Sequence, residues 1–256
     1  MITRELIIDA DHIAFLVSES NSYKTGFDDC DYDEYLEQME LDEVDFDLTK
    51  YIDHFNSIVD YYKLVAECGG IAYGWKVGKV KVVLSDVTNF RYKLYQDYKC
   101  KRPKSNEVRT KLREWARKEY IYEPNTEADD VVAYHVRNGG VGITTDKDLF
   151  NGVEGIWYNS HYMHKTWHYT NKDDAEYFYK CQVLAGDGVD GIPSLPRVGI
   201  PTAKKLLDRH GSSWDDIISI FKDKGFSEDY YLTMKRLVSM TQWSPKKGIV
   251  LCKKNT

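Results

Sequence analysis

The chain has 256 residues, of which 42% are hydrophobic and 30% are charged, and its formal net charge is −6. These values indicate an ordinary globular protein with one substantial core, and no apolar run is long enough to span a bilayer, which excludes an integral membrane protein. Charged residues interrupt the N-terminal MITRELIIDADHIAFLV, so it does not resemble a signal peptide and we expect a cytoplasmic location. The five cysteines are widely spaced without CxxC, which argues against disulfides or a thiolate zinc site.

Charge is distributed unevenly along the chain. Residues 28–47 contain eleven acidic residues and no basic one, whereas residues 91–118 contain eleven basic residues and three acidic ones. We predict that 28–47 is a solvated, partly disordered insertion, with partner binding or exclusion of DNA as alternatives. The basic strip is a surface of the kind that contacts phosphates, whatever the total charge.

The predicted elements alternate between strand and helix over the first part of the chain. Apolar runs rich in Val and Ile predict buried strands at 5–10, 79–86, 140–146 and 154–159, and helical periodicity fills 48–69 and 126–139. This alternation predicts an α/β fold with a mostly parallel sheet. Beyond about residue 185, 198–211 and 212–225 read as capped helices. We therefore predict a core at 1–185 and a helical subdomain at 186–256.

Acidic residues recur where these strands end. The carboxyl ends of parallel strands share one edge of a sheet, where ligands bind, so these acids should converge with those in EADD and GDGVDG. Each acid alone is more often a cap, and Thr126 with Asp129 fits a capping box. Capping alone does not explain why acids coincide with strand ends five times, so a shared site is favoured. The candidates are Asp9, Asp86, Glu127, Asp129, Asp130, Asp146, Asp148, Asp187 and Asp190.

Electrostatics decides what such a cluster requires. Two carboxylates about 5 Å apart repel by roughly 3 kcal/mol at an effective dielectric constant of about 20. The acids must therefore be protonated or neutralised by cations, and hard oxygen ligands suit Mg²⁺ or Mn²⁺. Nine acids exceed what one octahedral ion needs, and paired ions are typical of phosphodiester hydrolysis. The cluster predicts a site with two Mg²⁺ ions for which Mn²⁺ can substitute.

Five ordered blocks carry a family resemblance. They are LIIDADHIAF, VVLSDVTNFRYKLYQDYKCKR, EADDVVAY, TTDKDLF and LAGDGVDGIPSLPRVGIPTAKKLL, spanning roughly residues 5–210. In this order they resemble the 5′-nuclease (flap endonuclease) family, which includes the N-terminal domain of bacterial DNA polymerase I and phage RNase H-type exonucleases. The resemblance implies a PIN-like sheet flanked by helices, a helical arch over the active site and a C-terminal helix-hairpin-helix.

The resemblance also implies residue roles. Asp9, Asp86, Glu127, Asp129 and Asp130 would hold the first metal, and Asp146, Asp148, Asp187 and Asp190 the second, with Asp146 near both. In YKCKR, Lys99 and Arg102 would contact the scissile phosphate, beside the catalytic carboxylates Asp9, Asp86 and Asp146; the alternative is that they only attract the DNA backbone. The chain departs from the usual pattern with TTDKD in place of SGDKD and with Gly191 in place of Asn, and neither change removes a carboxylate.

Two basic regions are expected to bind DNA. The arch should cover about 91–123 and be short, and Arg91, Arg109, Arg113 and Arg117 are its candidate phosphate contacts. The alternative for this stripe is a solvated face above Leu112 and Trp115. A second contact is expected at the helix that Gly199 opens, with Lys204 and Lys205 adding charge and a K⁺ ion between the loop and a phosphate. A purely structural hairpin is the alternative.

The resulting prediction is a Mg²⁺-dependent 5′-3′ exonuclease or flap endonuclease acting in replication or repair. Its expected partner is DNA with a 5′ flap, overhang, nick or RNA primer. We expect a monomer without membrane association, and single-stranded DNA-binding or replisome proteins are further candidate partners. Two alternatives remain open. One is a non-catalytic structure-specific DNA-binding protein, and the other is a PIN-type RNase, which usually lacks the hairpin block.

Overall fold

A computed structural model describes residues 1–19, 47–103, 105–161, 163–193 and 195–255 of the chain. The acidic segment predicted at 28–47 lies outside the described residues except for Asp47, whose side chain accepts a hydrogen bond from the backbone N–H of Thr49 at the start of a helix. None of the helices within these ranges is long and apolar enough to cross a membrane.

The centre of the fold is a six-stranded sheet in the order β3-β2-β1-β4-β5-β6. All neighbouring strands are parallel except β6, which pairs antiparallel with β5 at one edge. The strands are β1 (Ile2–Asp9), β2 (Trp75–Leu84), β3 (Ile121–Tyr122), β4 (Val141–Thr144), β5 (Gly155–Asn159) and β6 (Thr166–Thr170).

Helices cover both faces of the sheet, and a helical region follows it. The helices in the described ranges are α1 (Ala10–Glu19), α2 (Leu48–Tyr73), α3 (Arg91–Leu94), α4 (Glu107–Glu119), α5 (Ala128–Arg137), α6 (Lys147–Gly152), α7 (Lys172–Ala185), α8 (Ile200–His210), α9 (Trp214–Asp223) and α10 (Glu228–Val238). A small hairpin of β7 (Trp243–Ser244) and β8 (Gly248–Ile249) packs against α5.

Strand β1 is buried on both faces, which is why its sequence is a continuous apolar run rather than an alternating one. Leu6 and Ile8 enter the hydrophobic core beneath α1 and α2, whereas Ile7 points to the opposite face and packs with α5. Burying one such side chain contributes about 1.5–3 kcal/mol. Because β1 is fixed from both sides, Asp9 at its carboxyl end is held in place.

A separate hydrophobic cluster forms the helical region. It joins residues of α7 to residues of α8, α9 and α10, and Tyr98 of the basic strip packs into it. Helix α9 begins with a capping box in which Ser213 and Asp216 bond each other's backbone N–H groups. This cluster spans both sides of the predicted boundary at residue 185, so α7 connects the sheet to the helices that follow.

The sequence predictions hold for the main elements and fail at their edges. The mainly parallel α/β sheet flanked by helices is confirmed. The two-residue β3 and the edge strand β6 carried too little apolar periodicity to be predicted. The capping box at Thr126 is wrong, because Glu127 is the N-cap of α5 and the Thr126 hydroxyl bonds the carbonyl of Pro124. Asn106 caps α4 by accepting a hydrogen bond from the N–H of Arg109.

A glycine turn connects the helical region to the site. Gly186 has φ 68° and ψ −165°, a conformation open essentially to glycine alone, and a Cβ there would lie 2.5 Å from the carbonyl oxygen of Ile192. Gly188 has no atom within 4 Å of an added Cβ and no positive φ.

We predict that Gly186→Ala lowers the free energy of unfolding by at least about 1–3 kcal/mol, since it adds backbone strain and a clash with a carbonyl. Gly188→Ala is the matched control and should change it by less than about 0.5 kcal/mol. Denaturant unfolding of both variants measures this. Equal effects of the two substitutions would contradict the assignment of Gly186 as the constrained turn residue.

Candidate active site

The floor of the site is the carboxyl edge of β1 and β4. Asp9 ends β1 with 5% of its surface exposed, and it accepts hydrogen bonds from the Thr144 hydroxyl (3.0 Å) and the backbone N–H of Asp11 (3.1 Å). Burial and the nearby Asp11 carboxylate raise the pKa of Asp9 to about 7, and Asp146 adds to this effect. The side chain is therefore held in a position where its negative charge needs compensation.

Asp146 and Asp148 follow β4 at the start of α6. The backbone N–H of Asp148 donates to Oδ1 of Asp146 (2.7 Å), so Asp146 is the N-cap, and the N–H of Asp146 donates to the Thr144 hydroxyl (3.0 Å). Burial, with the Asp146 charge, raises the pKa of Asp148 to about 7. Burial also raises the pKa of Asp146, with Asp190 contributing.

Asp129 points from the first turn of α5 toward these acids. Burial and then the charges of Asp146 and Asp9 raise the pKa of Asp129 well above its usual range. Ser85, at the end of β2, fixes this turn, because its hydroxyl accepts a hydrogen bond from the N–H of Ala128 (2.9 Å). Asp129 is thus the member of EADD that faces the carboxylates of the sheet.

Asp187 and Asp190 form a tight turn after α7. Oδ1 of Asp187 accepts from the N–H groups of Val189 (2.8 Å) and Asp190 (3.3 Å), and the backbone of Asp187 pairs with that of Ile192. Both acids line a cavity of about 170 Å³ together with Asp129, Asp146 and Asp148. Glu127 lines it as well, so the structure brings six of the nine predicted acids together around this smaller cavity.

Lys99 and Arg102 lie among these carboxylates. The Lys99 ammonium bonds Glu127 and lies 3.6 Å from Oδ2 of Asp190, while Arg102 bonds Oδ1 of Asp190. Tyr98 donates to both acids, to Glu127 at 2.9 Å and to Asp190 at 3.2 Å. Burial alone would raise the pKa of Glu127, but Lys99 and Arg91 lower it to about 2, so Glu127 is ionised.

The backbone of Lys99 is strained. Its φ of 56° is unusual for a residue other than glycine, and its N–H donates to the carbonyl of Asp190 (2.7 Å). A backbone held in this region costs of order 1–3 kcal/mol and persists only where the surrounding structure enforces it. The loop between α3 and α4 therefore holds the backbone of Lys99 against the turn that carries Asp190.

Two of the predicted site residues are buried and paired with each other. Arg91, expected to contact DNA, is 2% exposed and pairs with Asp130 through two hydrogen bonds of 2.6 and 2.9 Å. Asp130, expected to bind metal, is 0% exposed and lines neither the smaller cavity nor the larger cavity described below. The burial of Arg91 and that of Asp130 have one cause: the side of α5 that carries Glu127 and Asp130 packs on Arg91.

Asp86 lies at the rim of a larger cavity of about 750 Å³. Its carboxylate accepts from the N–H groups of Val87 (2.7 Å) and Asn125 (2.8 Å) and from the Thr88 hydroxyl (2.8 Å). Burial would raise the pKa of Asp86, but these hydrogen bonds lower it. Asp86 thus organises the loop after β2 and still faces the space beside Asp9.

The arginine stripe of α4 also lines the larger cavity, but it is tied to α1 and β2. Arg109 donates to the Ser18 hydroxyl (3.1 Å) and Glu19 (2.5 Å), and Arg113 lies 2.9 Å from Oδ1 of Asp11. Arg117 donates to the carbonyl of Ser85 (3.3 Å). Leu112 and Ala116 are buried beneath the helix, so the packing predicted as an alternative coexists with basic groups facing the cavity.

The second predicted DNA contact lies on the helical region. Gly199 is the N-cap of α8 without a side-chain cap, and Pro201 lies in the first turn. Lys204 and Lys205 are exposed on this helix. At the start of this helix Pro201 has no N–H, and the N–H groups of Thr202 and Ala203 bond the carbonyl of Gly199.

Several residues of the site were not predicted. One of them is a further acid, Asp11, and three have hydroxyl groups beside the acids, namely Ser85, Tyr98 and Thr144. In addition, the buried His12 bonds the Tyr62 hydroxyl (2.9 Å). Burial lowers the pKa of His12 to about 4, so the ring is neutral beside Asp9. Asp11 could have been found as a second acid two residues beyond the strand end. The hydroxyl groups give no such signal, because Ser, Thr and Tyr are common everywhere.

Among the described residues, no three acidic, His or Cys side chains stand ready to hold one ion as they are placed. In this arrangement Lys99 bonds the carboxylate of Glu127 and Arg102 bonds that of Asp190. The acids and these two cations nevertheless border the same two cavities. The site is a buried anionic cluster with basic groups at its edge.

Comparison with known structures gives the fold. The bacteriophage T5 D15 protein co-crystallised with metal ions is 16% identical, with a TM-score of 0.60 over 93% of this chain and 89% of that one. T5 5′-exonuclease with bound zinc is 17% identical, with a TM-score of 0.57 over 93% and 90%. A T5 D15 flap endonuclease pseudo-enzyme–product complex with DNA and metal ions is 14% identical, with a TM-score of 0.55 over 93% and 89%.

No protein-family model matches the sequence, and no curated protein matches it significantly. The structural match nevertheless extends over nearly the whole of both chains. The chain therefore has the fold of the T5 5′-exonuclease and flap endonuclease structures, as the sequence resemblance predicted.

Proposed function

We propose that the protein is a divalent-metal-dependent nuclease that hydrolyses phosphodiester bonds at the 5′ ends of DNA. The observation that carries this proposal is the convergence of buried carboxylates beside Lys99 and Arg102 at the carboxyl edge of the sheet. The likeness to the T5 D15 protein with metal ions, and to the T5 D15 flap endonuclease with DNA and metal ions, supports it. Replication or repair in the cytoplasm, by a monomer, is the setting that we propose.

The donor set fits hard divalent cations. Every acid of the cluster offers carboxylate oxygen, the ligand that Mg²⁺ and Mn²⁺ prefer. Burial raises the pKa of Asp9, Asp129, Asp146 and Asp148, which is the signature of negative charge lacking a nearby cation. Divalent cations bound among these acids would offset the free-energy cost of burying their negative charges.

We assign two Mg²⁺ ions to two groups of acids. The first group is Asp9, Asp86, Glu127 and Asp129, and the second is Asp146, Asp148, Asp187 and Asp190, with Asp146 bordering both cavities. When bound, the ions would activate water and stabilise the leaving oxygen. Asp130 is left out because Arg91 occupies both of its oxygens.

Lys99 and Arg102 supply positive charge for the scissile phosphate. Both line the larger cavity and bond acids that the proposed ions would engage. Once those acids bind metal, the two cations are free to turn to an anionic substrate. Charge-assisted hydrogen bonds aimed at a phosphoryl oxygen stabilise negative charge as it develops in the transition state.

The remaining basic groups would hold the DNA backbone. Arg109, Arg113 and Arg117 border the larger cavity above the acids, and Gly199 with Lys204 and Lys205 presents the N-terminus of α8, where a K⁺ ion could join loop and phosphate. Backbone contacts carry no base information. We therefore propose selection of DNA by structure, namely 5′ flaps, overhangs, nicks and RNA-primed ends.

The test is cleavage of labelled 5′-flap, 5′-overhang and RNA-primed duplexes with and without Mg²⁺. We expect Mg²⁺-dependent release of 5′ products, and Asp148→Asn should lower kcat by at least about 100-fold, because a metal contributes several kcal/mol to the transition state. Asp173→Asn, which changes an exposed acid at the start of α7, is the matched control and should retain wild-type activity.

Absence of metal-dependent cleavage on every substrate would overturn the proposal and leave a DNA-binding protein. Cleavage of single-stranded RNA alone would favour a PIN-type RNase. Equal losses in Asp148→Asn and Asp173→Asn would remove the specific role of the cluster.

A pH dependence follows from Asp148. Its pKa is about 7 in the folded protein and about 3.9 in an unfolded chain, so between these pH values the folded state binds a proton that the unfolded state does not. Stability from this group is present below about pH 4 and is lost as the pH rises through 7. His12 acts in the opposite direction over part of this range, because its pKa is lowered to about 4.

We predict that metal-free Asp148→Asn becomes progressively more stable relative to the metal-free wild type as the pH rises from 4 to 7. The comparison cancels the contribution of His12, and Mg²⁺ should restore much of the wild-type stability at pH 7 or above. Denaturant unfolding across this pH range measures both effects. A stability difference that stays constant with pH would contradict the buried, charge-crowded environment of Asp148.

A further inference from the structure

Arg91 has a complete set of hydrogen-bond partners. All five N–H groups of a guanidinium can donate, and here Arg91 makes five hydrogen bonds while only 2% exposed. Its acceptors are Oε2 of Glu127 (3.0 Å), Oδ2 and Oδ1 of Asp130 (2.6 and 2.9 Å), and the carbonyls of Leu237 (2.9 Å) and Ser239 (2.6 Å).

The two carbonyls belong to the C-terminal end of α10, where Ser239 is the C-cap. The last carbonyls of a helix lack partners within it and carry the negative end of its dipole, so a guanidinium is favourable there. The two acids lie at the start of α5. Arg91 therefore connects the end of α10, in the helical region, to the beginning of α5, in the core.

Asp130 is the counterion of Arg91 in this connection between α10 and α5. It is fully buried and gives one oxygen to each terminal nitrogen of Arg91, the bidentate geometry of a strong ion pair. A buried guanidinium without a counterion is strongly destabilising. Since Asp130 lines neither cavity, its charge serves Arg91 and is directed away from the substrate space.

Glu127 connects the Arg91–Asp130 pair to the candidate active site. Arg91 holds Oε2 of Glu127, whose other oxygen bonds Lys99, and Tyr98 joins Glu127 to Asp190 of the turn that precedes the helical region. The position of α10 relative to α5 therefore affects the spacing between Glu127 and the acids at 187 and 190.

We propose that Arg91 is a positioning residue and Asp130 its dedicated counterion. Together they fix the helical region on the core and orient Glu127, and Asp130 is not a metal ligand. The part of this inference that concerns Glu127 rests on the proposed function. The coupling between Arg91 and Asp130 does not, so the two can fail separately.

The coupling is tested by a double-mutant cycle in equilibrium unfolding. Arg91→Met and Asp130→Asn should each lower the folding equilibrium constant by about 100-fold or more, because each leaves a buried group of the pair unmatched. The double variant should be no more than about tenfold worse than the poorer single variant. Multiplicative losses would overturn the pairing.

Metal binding separates counterion from ligand without any cleavage assay. Mn²⁺ titration followed by electron paramagnetic resonance should give Asp130→Asn the wild-type number of ions, with Kd values within about threefold. Asp148→Asn should weaken one ion by at least about tenfold. Loss of an ion in Asp130→Asn would make Asp130 a ligand and overturn the assignment.

The positioning role is tested with Arg91→Lys, which keeps the charge and fold but cannot make five bonds in this geometry. Its kcat should fall at least about tenfold, with KM for DNA and its salt dependence unchanged, because protein groups already accept hydrogen bonds from all five N–H groups of Arg91. A raised KM with a shallower salt dependence would instead indicate direct phosphate contact. An unchanged kcat would remove the positioning role. If the wild type cleaves nothing, only the proposed function fails, and the cycle and Mn²⁺ results still stand.

Discussion

Repulsion among carboxylates is the constraint on which the rest of the structure depends. Buried and half-buried acids from the sheet, from α5 and from the turn at Asp187 border the same space. Burial and neighbouring acids raise the pKa of Asp9 and Asp148 to about 7. Such an arrangement reduces stability unless something holds it in place. In the nuclease that we propose, bound metal ions would offset this electrostatic cost.

The fold opposes this repulsion with rigid supports rather than with a loose loop. Strand β1 is buried on both faces, so Asp9 cannot move away, and the Thr144 hydroxyl holds both Asp9 and the backbone of Asp146. Ser85 fixes the turn that carries Asp129. On the other side, Arg91 and Lys99 balance Glu127 and Asp130, so the cluster is divided into paired acids and acids without a cation.

Sequence predicted those parts of the molecule that depend on local pattern. Strands β1, β2, β4 and β5 follow from apolar runs, and the acids that follow strands were correctly expected to share one edge with EADD and GDGVDG. The sequence prediction failed where the role of a side chain depends on which residue, distant in sequence, packs against it. Glu127 and Asp130 do leave the same side of α5, but only the folded chain shows that Arg91, 39 residues before Asp130, occupies that side. The same reason explains the arginines of α4, whose partners on α1 are distant in sequence.

The central claim is that the carboxylates lining the two cavities, and not Asp130, bind two divalent ions. Anomalous diffraction from crystals soaked in Mn²⁺ tests it most directly. We predict two peaks, one bordered by Asp9, Asp129 and Asp146, and the other by Asp146, Asp148 and the turn at 187–190. No peak at these acids, or a peak with Asp130 among its ligands, would contradict this account.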